Sequence, residues 1–198
     1  MGVALAVLVA GARPGIAEMA VGGAAPDFEL MPLRFYDFGL EEREITRENA
    51  WELYEPVRLS DFKGKRPVAL VFGSYSAPIR ADLPDLAALH LEYGDRVQFL
   101  FVYIREATDP TVKIPRAPQT DLERIRIANS FVNEVDLPIP CLVDGIDDTT
   151  LARYAAHPTR AYLVATDGRI AHVSPHASVK LDPAEFQAAL VVPPSDPR

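Results

Sequence analysis

From Pro67 onward, long apolar runs alternate with stripes of helical period. "PVALVFGS" is continuously apolar, as a strand covered on both faces requires. "LPDLAALHLEYGD" then places Leu83, Leu86, Leu89 and Tyr93 on one helical stripe and stops at Gly94. "VQFLFVYI" predicts a second buried strand. Thr120 and Glu123 form a capping box that opens a helix over "TDLERIRIANSFVNEV", with Leu122, Ile125, Ile127 and Phe131 as its apolar face. "IPCLVD" predicts a third strand, "DTTLARYAA" a short helix, and "RAYLVATDGRIAHVS" a hairpin about Asp167-Gly168. "DPAEFQAAL" closes the chain as a helix, with Asp182 as N-cap and Pro183 in the first turn. Upstream, "AAPDFEL" and "EPVRLSDFKGK" each predict a short strand and a turn. Between them, "ITRENAWELYEP" predicts a short helix ended by Pro56. The order implies an α/β fold, with a mixed central sheet flanked by helices.

Composition narrows the class. With 198 residues, 48% of them hydrophobic, one globular domain has a sizeable core. The expected division is a flexible or signal-like N-terminus over 1–20 and a single domain over 21–198. The net charge of −8, with no Lys/Arg cluster, argues against a nucleic-acid or anionic-membrane partner. "EEREITRE" alternates in sign and reads as a solvated helical face. The single cysteine, Cys141, excludes an intrachain disulfide, a C-x-x-C pair and a cysteine-based zinc site. In "IPCLVD" it reads as a small buried apolar residue. His172 and His176 have a metal-ligand spacing, but Pro175 lies between them at a strand end, so no metal and no cofactor is expected. "VALAVLVAGA" ends like a signal-peptide cleavage site, yet lacks a preceding Lys or Arg and is too short to span a bilayer. Met19 is an alternative start, which favours a cytoplasmic chain over an exported one.

Five stretches occur in an informative order: "FGSYSAPI", "VYIREA", "LVDGIDD", "YAAHPTRAYLV" and "TDGRIAHV". Together with "APDFEL" and "VRLSDFKGKRPVALVFGS", they resemble the iodothyronine deiodinase family and its bacterial relatives, and more distantly the peroxiredoxins. The likeness runs from roughly Val57 to Leu190. It implies a thioredoxin fold with a peroxiredoxin-like N-terminal extension. It also implies an oxidoreductase acting on a small-molecule substrate with a thiol reductant.

In that family the turn after the first strand reads F-G-S-x-T-(Cys or selenocysteine)-P-P. Here the threonine is Ser76, the nucleophile falls on Ala77, and the second proline is Ile79. The family's His after Y-I-x-E-A is Thr108, while Glu106 and Arg160 match its acid and arginine. The resemblance therefore implies Ala77, Ser76 and Glu106 as catalytic positions, and Tyr75, His157, Pro158 and Arg160 on the substrate side. It also leads us to expect a cis His157–Pro158 bond.

Alanine cannot act as a nucleophile or form a mixed disulfide, so the chain as written is expected to be redox-inactive at this turn. Whether that alanine is natural or engineered stays open at this level. Ser74 and Ser76 flank the position, but a serine needs a base, and no carboxylate completes a triad with His157. Both hydroxyls are expected to satisfy backbone groups of the turn. A thiol placed at 77 is expected to sit at a helix N-terminus and titrate below the free value. Glu106 is expected to shuttle protons, and Arg160 to bind a carboxylate or phenolate. The alternative is a non-catalytic protein that holds a small aromatic or acidic ligand in the same cleft.

Overall fold

The computed structural model describes residues 19–33, 55–107, 117–137, 139–175 and 177–181, with positions 184, 187 and 188. The helix expected over "ITRENAWELYEP", the acidic-basic stretch before it, His176, Thr108 and the capping pair Asp182-Pro183 lie outside the described residues.

Seven strands form one mixed sheet. They are β1 (Glu29–Pro32), β2 (Val57–Arg58), β3 (Val68–Gly73), β4 (Gln98–Tyr103), β5 (Cys141–Val143), β6 (Arg160–Val164) and β7 (Ile170–Val173). Their order is β2-β1-β5-β4-β3-β6-β7. β3, β4 and β5 are parallel neighbours, whereas β1, β6 and β7 join antiparallel. Among the described residues, three complete α-helices cross between or follow these strands: α1 (Leu83–Tyr93), α2 (Asp121–Val135) and α3 (Thr149–Tyr154).

β3 is apolar at every position, and β4 at every position after Gln98, because both faces are covered. Ala69, Val71, Phe99 and Phe101 face α1 and α2, where Leu86, Leu89, Tyr93, Ala128 and Phe131 complete one core. Leu70, Phe72, Leu100 and Val102 face the other way, onto Phe28, Leu151 and Tyr154. Each large side chain so buried contributes roughly 1.5–3 kcal/mol. On the second face, Tyr154 donates to Pro26 O at 2.6 Å, and the Tyr162 hydroxyl donates to Tyr154 O. The rings of Phe72 and Tyr154 lie 4.9 Å apart.

α2 starts as expected, with Thr120 Oγ1 accepting from Glu123 N at 3.2 Å. The Glu123 carboxylate reaches one residue further back and accepts from Gln119 N at 2.6 Å. The inward stripe differs from the expected one: Arg124, Ala128 and Phe131 are buried, while Leu122, Ile125 and Ile127 are half-buried. Arg124, 1% exposed, is tolerated because its guanidinium donates to Gly145 O (2.5 Å), Asp144 O (3.3 Å) and Asp148 Oδ1 (2.8 Å). Asp144 in turn accepts from the Thr150 and Leu151 amides at the start of α3. The hairpin between β6 and β7 turns at Asp167-Gly168 as expected, with Gly168 at φ +84°.

Replacing Thr120 by Ala removes the side-chain cap of α2 and is expected to cost about 1 kcal/mol of stability. Urea denaturation of the two forms checks this, with a lowered midpoint and an unchanged slope.

Candidate functional site

β3 and β4 end side by side, and the chain leaves both at the same edge of the sheet. Gly73 closes β3 where no β-carbon fits: one would lie 2.9 Å from Ile79 Cδ1 and 3.0 Å from Phe101 Cζ. Ile79, which replaces the family's second proline, is fully buried in that space. The backbone between them folds into successive tight turns: Ala77 N donates to Ser74 O at 3.1 Å, Ile79 N to Ala77 O at 2.7 Å, and Asp82 N to Ile79 O at 2.9 Å.

α1 begins only at Leu83, so position 77 is not at a helix N-terminus. Pro84 explains the difference: a helix begun at 78 would need its missing N–H to donate to Arg80 O, so α1 starts where Pro84 falls in the first turn. The Ala77 methyl packs into the first core and is 5% exposed.

Glu106, three residues beyond β4, organises the turn. Its Oε2 accepts from Ser76 N at 3.0 Å and from Ser76 Oγ at 2.6 Å. Its Oε1 accepts from the Tyr103 hydroxyl, whose oxygen accepts from Tyr75 N at 3.0 Å. Burial, followed by the Glu106 charge, pushes the Tyr103 hydroxyl far above its ordinary value, so it stays protonated and donates. Ser76 thus bonds to a side chain rather than to the backbone of the turn. Ser74 Oγ, fully buried, has no hydrogen-bond partner among the described residues. Neither serine hydroxyl therefore makes the backbone bond expected of it.

Tyr75 points away from Ser76 toward α2. Its hydroxyl donates to Glu134 Oε2, and Arg80 pairs with Glu134 Oε1 at 3.1 Å while lying 4.9 Å over the Tyr75 ring. The hydrogen bond from Tyr75 holds the Glu134 carboxyl below its ordinary value and raises the Tyr75 hydroxyl. Tyr103 and Glu134 were not singled out from sequence as members of this edge; Arg80, which the sequence offers as a positive charge near position 77, pairs with Glu134 instead. Only the placement of Tyr103 and Glu106 in one short motif hinted at the first.

The loop before β6 reaches the same end of the sheet. Thr159 Oγ1 donates to Phe72 O at 2.5 Å, and the His157–Pro158 bond is cis, as expected. His157 and Pro158 are half-buried. Arg160 pairs in register with Phe72, and its Nε donates to Ser174 O at 3.4 Å, toward the segment after β7. The structure therefore joins Tyr75, Ser76 and Glu106 through one bonded chain. Thr159, between Pro158 and Arg160, ties that loop to β3, and Arg160 takes the sheet face of Phe72 and Tyr162, opposite the face that holds Ala77 and Tyr103. Cys141 lies buried on β5 beside this network, and burial pushes its thiol well up.

A family model described as iodothyronine deiodinase matches residues 18–191. The chain belongs to the iodothyronine deiodinase family. The match reaches further toward the N-terminus than the motifs that begin at Val57. A thyroxine 5-deiodinase of Gallus gallus is 34% identical over 118 residues, covering 54% of this chain and 45% of that protein. The chain therefore spans less than half of that relative's length. Solved structures share the thioredoxin-like architecture of the family at low identity. A Chlorobium tepidum protein provisionally described as a thiol:disulfide interchange protein DsbE has a TM-score of 0.56 and 20% identity, over 87% of this chain and 99% of that one. Peroxidoxin BcpB from Mycobacterium tuberculosis has a TM-score of 0.54 and 18% identity, over 87% and 95%.

Two outcomes follow from this geometry. Glu106→Ala leaves the Ser76 amide, the Ser76 hydroxyl and the Tyr103 hydroxyl without their acceptor, and is expected to destabilise the fold by about 2–3 kcal/mol in urea titrations. A thiol introduced by Ala77→Cys is buried, off any helix N-terminus and one residue from the Glu106 contact. Its alkylation rate is therefore expected to rise with an apparent pKa at or above the free value of about 8.5.

Proposed function

We propose that this chain is an oxidoreductase scaffold of its family in which Ala77 occupies the place of the chalcogen nucleophile, leaving it redox-inactive in this form. The observation that carries the reading is the alanine itself, standing in "FGSYSAPI" at the motif's Cys or selenocysteine position within the matched segment. In this reading Ser76 and Glu106 hold the reacting turn, with Glu106 as the proton-handling acid. Tyr75, His157, Pro158 and Arg160 form the substrate side. The substrate is a small reducible molecule, an iodinated aromatic by analogy with the thyroxine deiodinase relatives, and a thiol supplies the electrons.

A second reading is favoured by the burial of position 77 beside a carboxylate, an environment that does not activate a thiol. Under it, the same sheet edge binds a small aromatic or acidic ligand without chemistry.

Codon 77 of the source gene separates the two most directly. A cysteine codon or a recoded stop supports the oxidoreductase, and an alanine codon supports the binding protein. The biochemical test is Ala77→Cys in a Cys141→Ala background, assayed with dithiothreitol at about pH 8.5, near the free thiol value. An iodinated phenol, hydrogen peroxide and a small disulfide serve as substrates. The parent chain is expected to be inert and the Ala77→Cys form to turn over at least one of them. A folded Ala77→Cys form inert toward all three overturns the oxidoreductase reading. A thermal shift with aromatic acids would then support the second.

A further inference from the structure

A cavity of about 410 Å³ opens between the first turns of α1 and the segment that follows β7. It shares no lining residue with the Tyr75–Ser76–Glu106 edge, and nothing in the proposed function uses it. Its volume lies within the range of small-molecule sites, roughly 300–1,000 Å³. Its floor is apolar: Leu86 and Leu89 from α1 meet Val179 and Leu181 from the opposite wall, all four buried in the core.

The rim carries charge that no hydrogen bond or ion pair among the described residues neutralises, although Asp85, in the first turn of α1, suits the helix dipole. Asp82 stands at the N-cap of α1, yet its side chain makes no cap hydrogen bond, because its backbone is helical (φ −94°, ψ −9°) and not extended. Asp85 follows one turn on, and Lys180 faces them from the other wall. Among the described residues, none of these three side chains has a hydrogen bond or an ion pair. Elsewhere the carboxylates Glu106, Glu134, Asp144 and Asp148 are each engaged. Two carboxylates face one ammonium and the His172 ring of β7 around a floor that disfavours water.

We propose that this cavity is a binding site for a small amphipathic amine, its ammonium held by Asp82 and Asp85 and its apolar body on the leucine–valine floor. Lys180 sits where it accepts a carboxylate if the amine also carries one, so an apolar amino acid fits as well as a simple amine. An apolar acid without an amine does not fit, because the paired carboxylates repel it.

The probes are phenethylamine, L-phenylalanine and 3-phenylpropionate, which share one apolar body and differ in charge. Ligand-observed NMR on the full chain reads binding in the range of about 1–10 mM expected for ligands of this size. Phenethylamine and L-phenylalanine are expected to bind, and 3-phenylpropionate is not. Asp82→Asn with Asp85→Asn, which breaks no bond of the fold, is expected to weaken both at least tenfold. Leu89→Trp, which fills the floor, abolishes binding if that variant folds. Lys180→Ala is expected to weaken L-phenylalanine while sparing phenethylamine. Binding of the acid as strong as that of the amine, no binding of either amine, or indifference to the Asp82/Asp85 change would each overturn the proposal. None of these readouts involves position 77, so they stand apart from the fate of the oxidoreductase reading.

Discussion

A half-buried carboxylate on which several donors converge can fix the backbone around it, and Glu106 does so at the end of the sheet. Its two oxygens collect the amide and hydroxyl of Ser76 and the hydroxyl of Tyr103, which itself receives the Tyr75 amide. Two parallel strands that would otherwise part are thereby tied at their tips. Residues 74 to 77 take their shape from that knot and not from any helix. A proton-carrying role and an anchoring role compete for the same atoms here. The same two oxygens that anchor Ser76 and Tyr103 are the ones a proton-handling acid would use.

The remaining groups at this edge are placed by neighbouring elements. The loop carrying His157 and Pro158 is drawn to β3 by the Thr159 hydroxyl, and Arg160 enters the sheet directly opposite Phe72. On the other flank, Arg80 and Tyr75 stack against Phe131 and close on Glu134, so the turn is also fastened to α2. The Arg80 cation, three residues past position 77, is thus committed to Glu134 and to two aromatic faces. Arginine stacks on aromatic faces while its fork pairs with a carboxylate, and this pocket offers both.

Periodicity made most of the fold legible. Continuous apolar runs identify β3 and β4, a Thr-x-x-Glu pair opens α2, and Asp167-Gly168 turns the last hairpin. These are local signals, set by which residues a strand, cap or turn tolerates. What stayed hidden is tertiary. Arg124 looks like a surface residue until the carbonyls of Asp144 and Gly145 are folded over it. The late start of α1 follows from Pro84, which is tolerated in a first turn but not inside a helix begun at 78. The bond between Ser76 and Glu106 spans thirty positions, and no spacing rule predicts which donor a strand-end acid will find.

The contact between Gly73 and Ile79 has a consequence for how this edge can move. Ile79 occupies the room left by an absent β-carbon, and Ala77, two residues earlier, shares the same core. Lifting the turn to present residue 77 to a partner would therefore pull two apolar side chains out of the interior. Local opening and global cooperativity are coupled at this point, so exposure of the turn draws on the same reserve that keeps the domain folded. An alanine here sits in the core at no cost in desolvated charge. An ionisable side chain in its place would have to be supported against that interior, which sets activity and stability in opposition at a single residue.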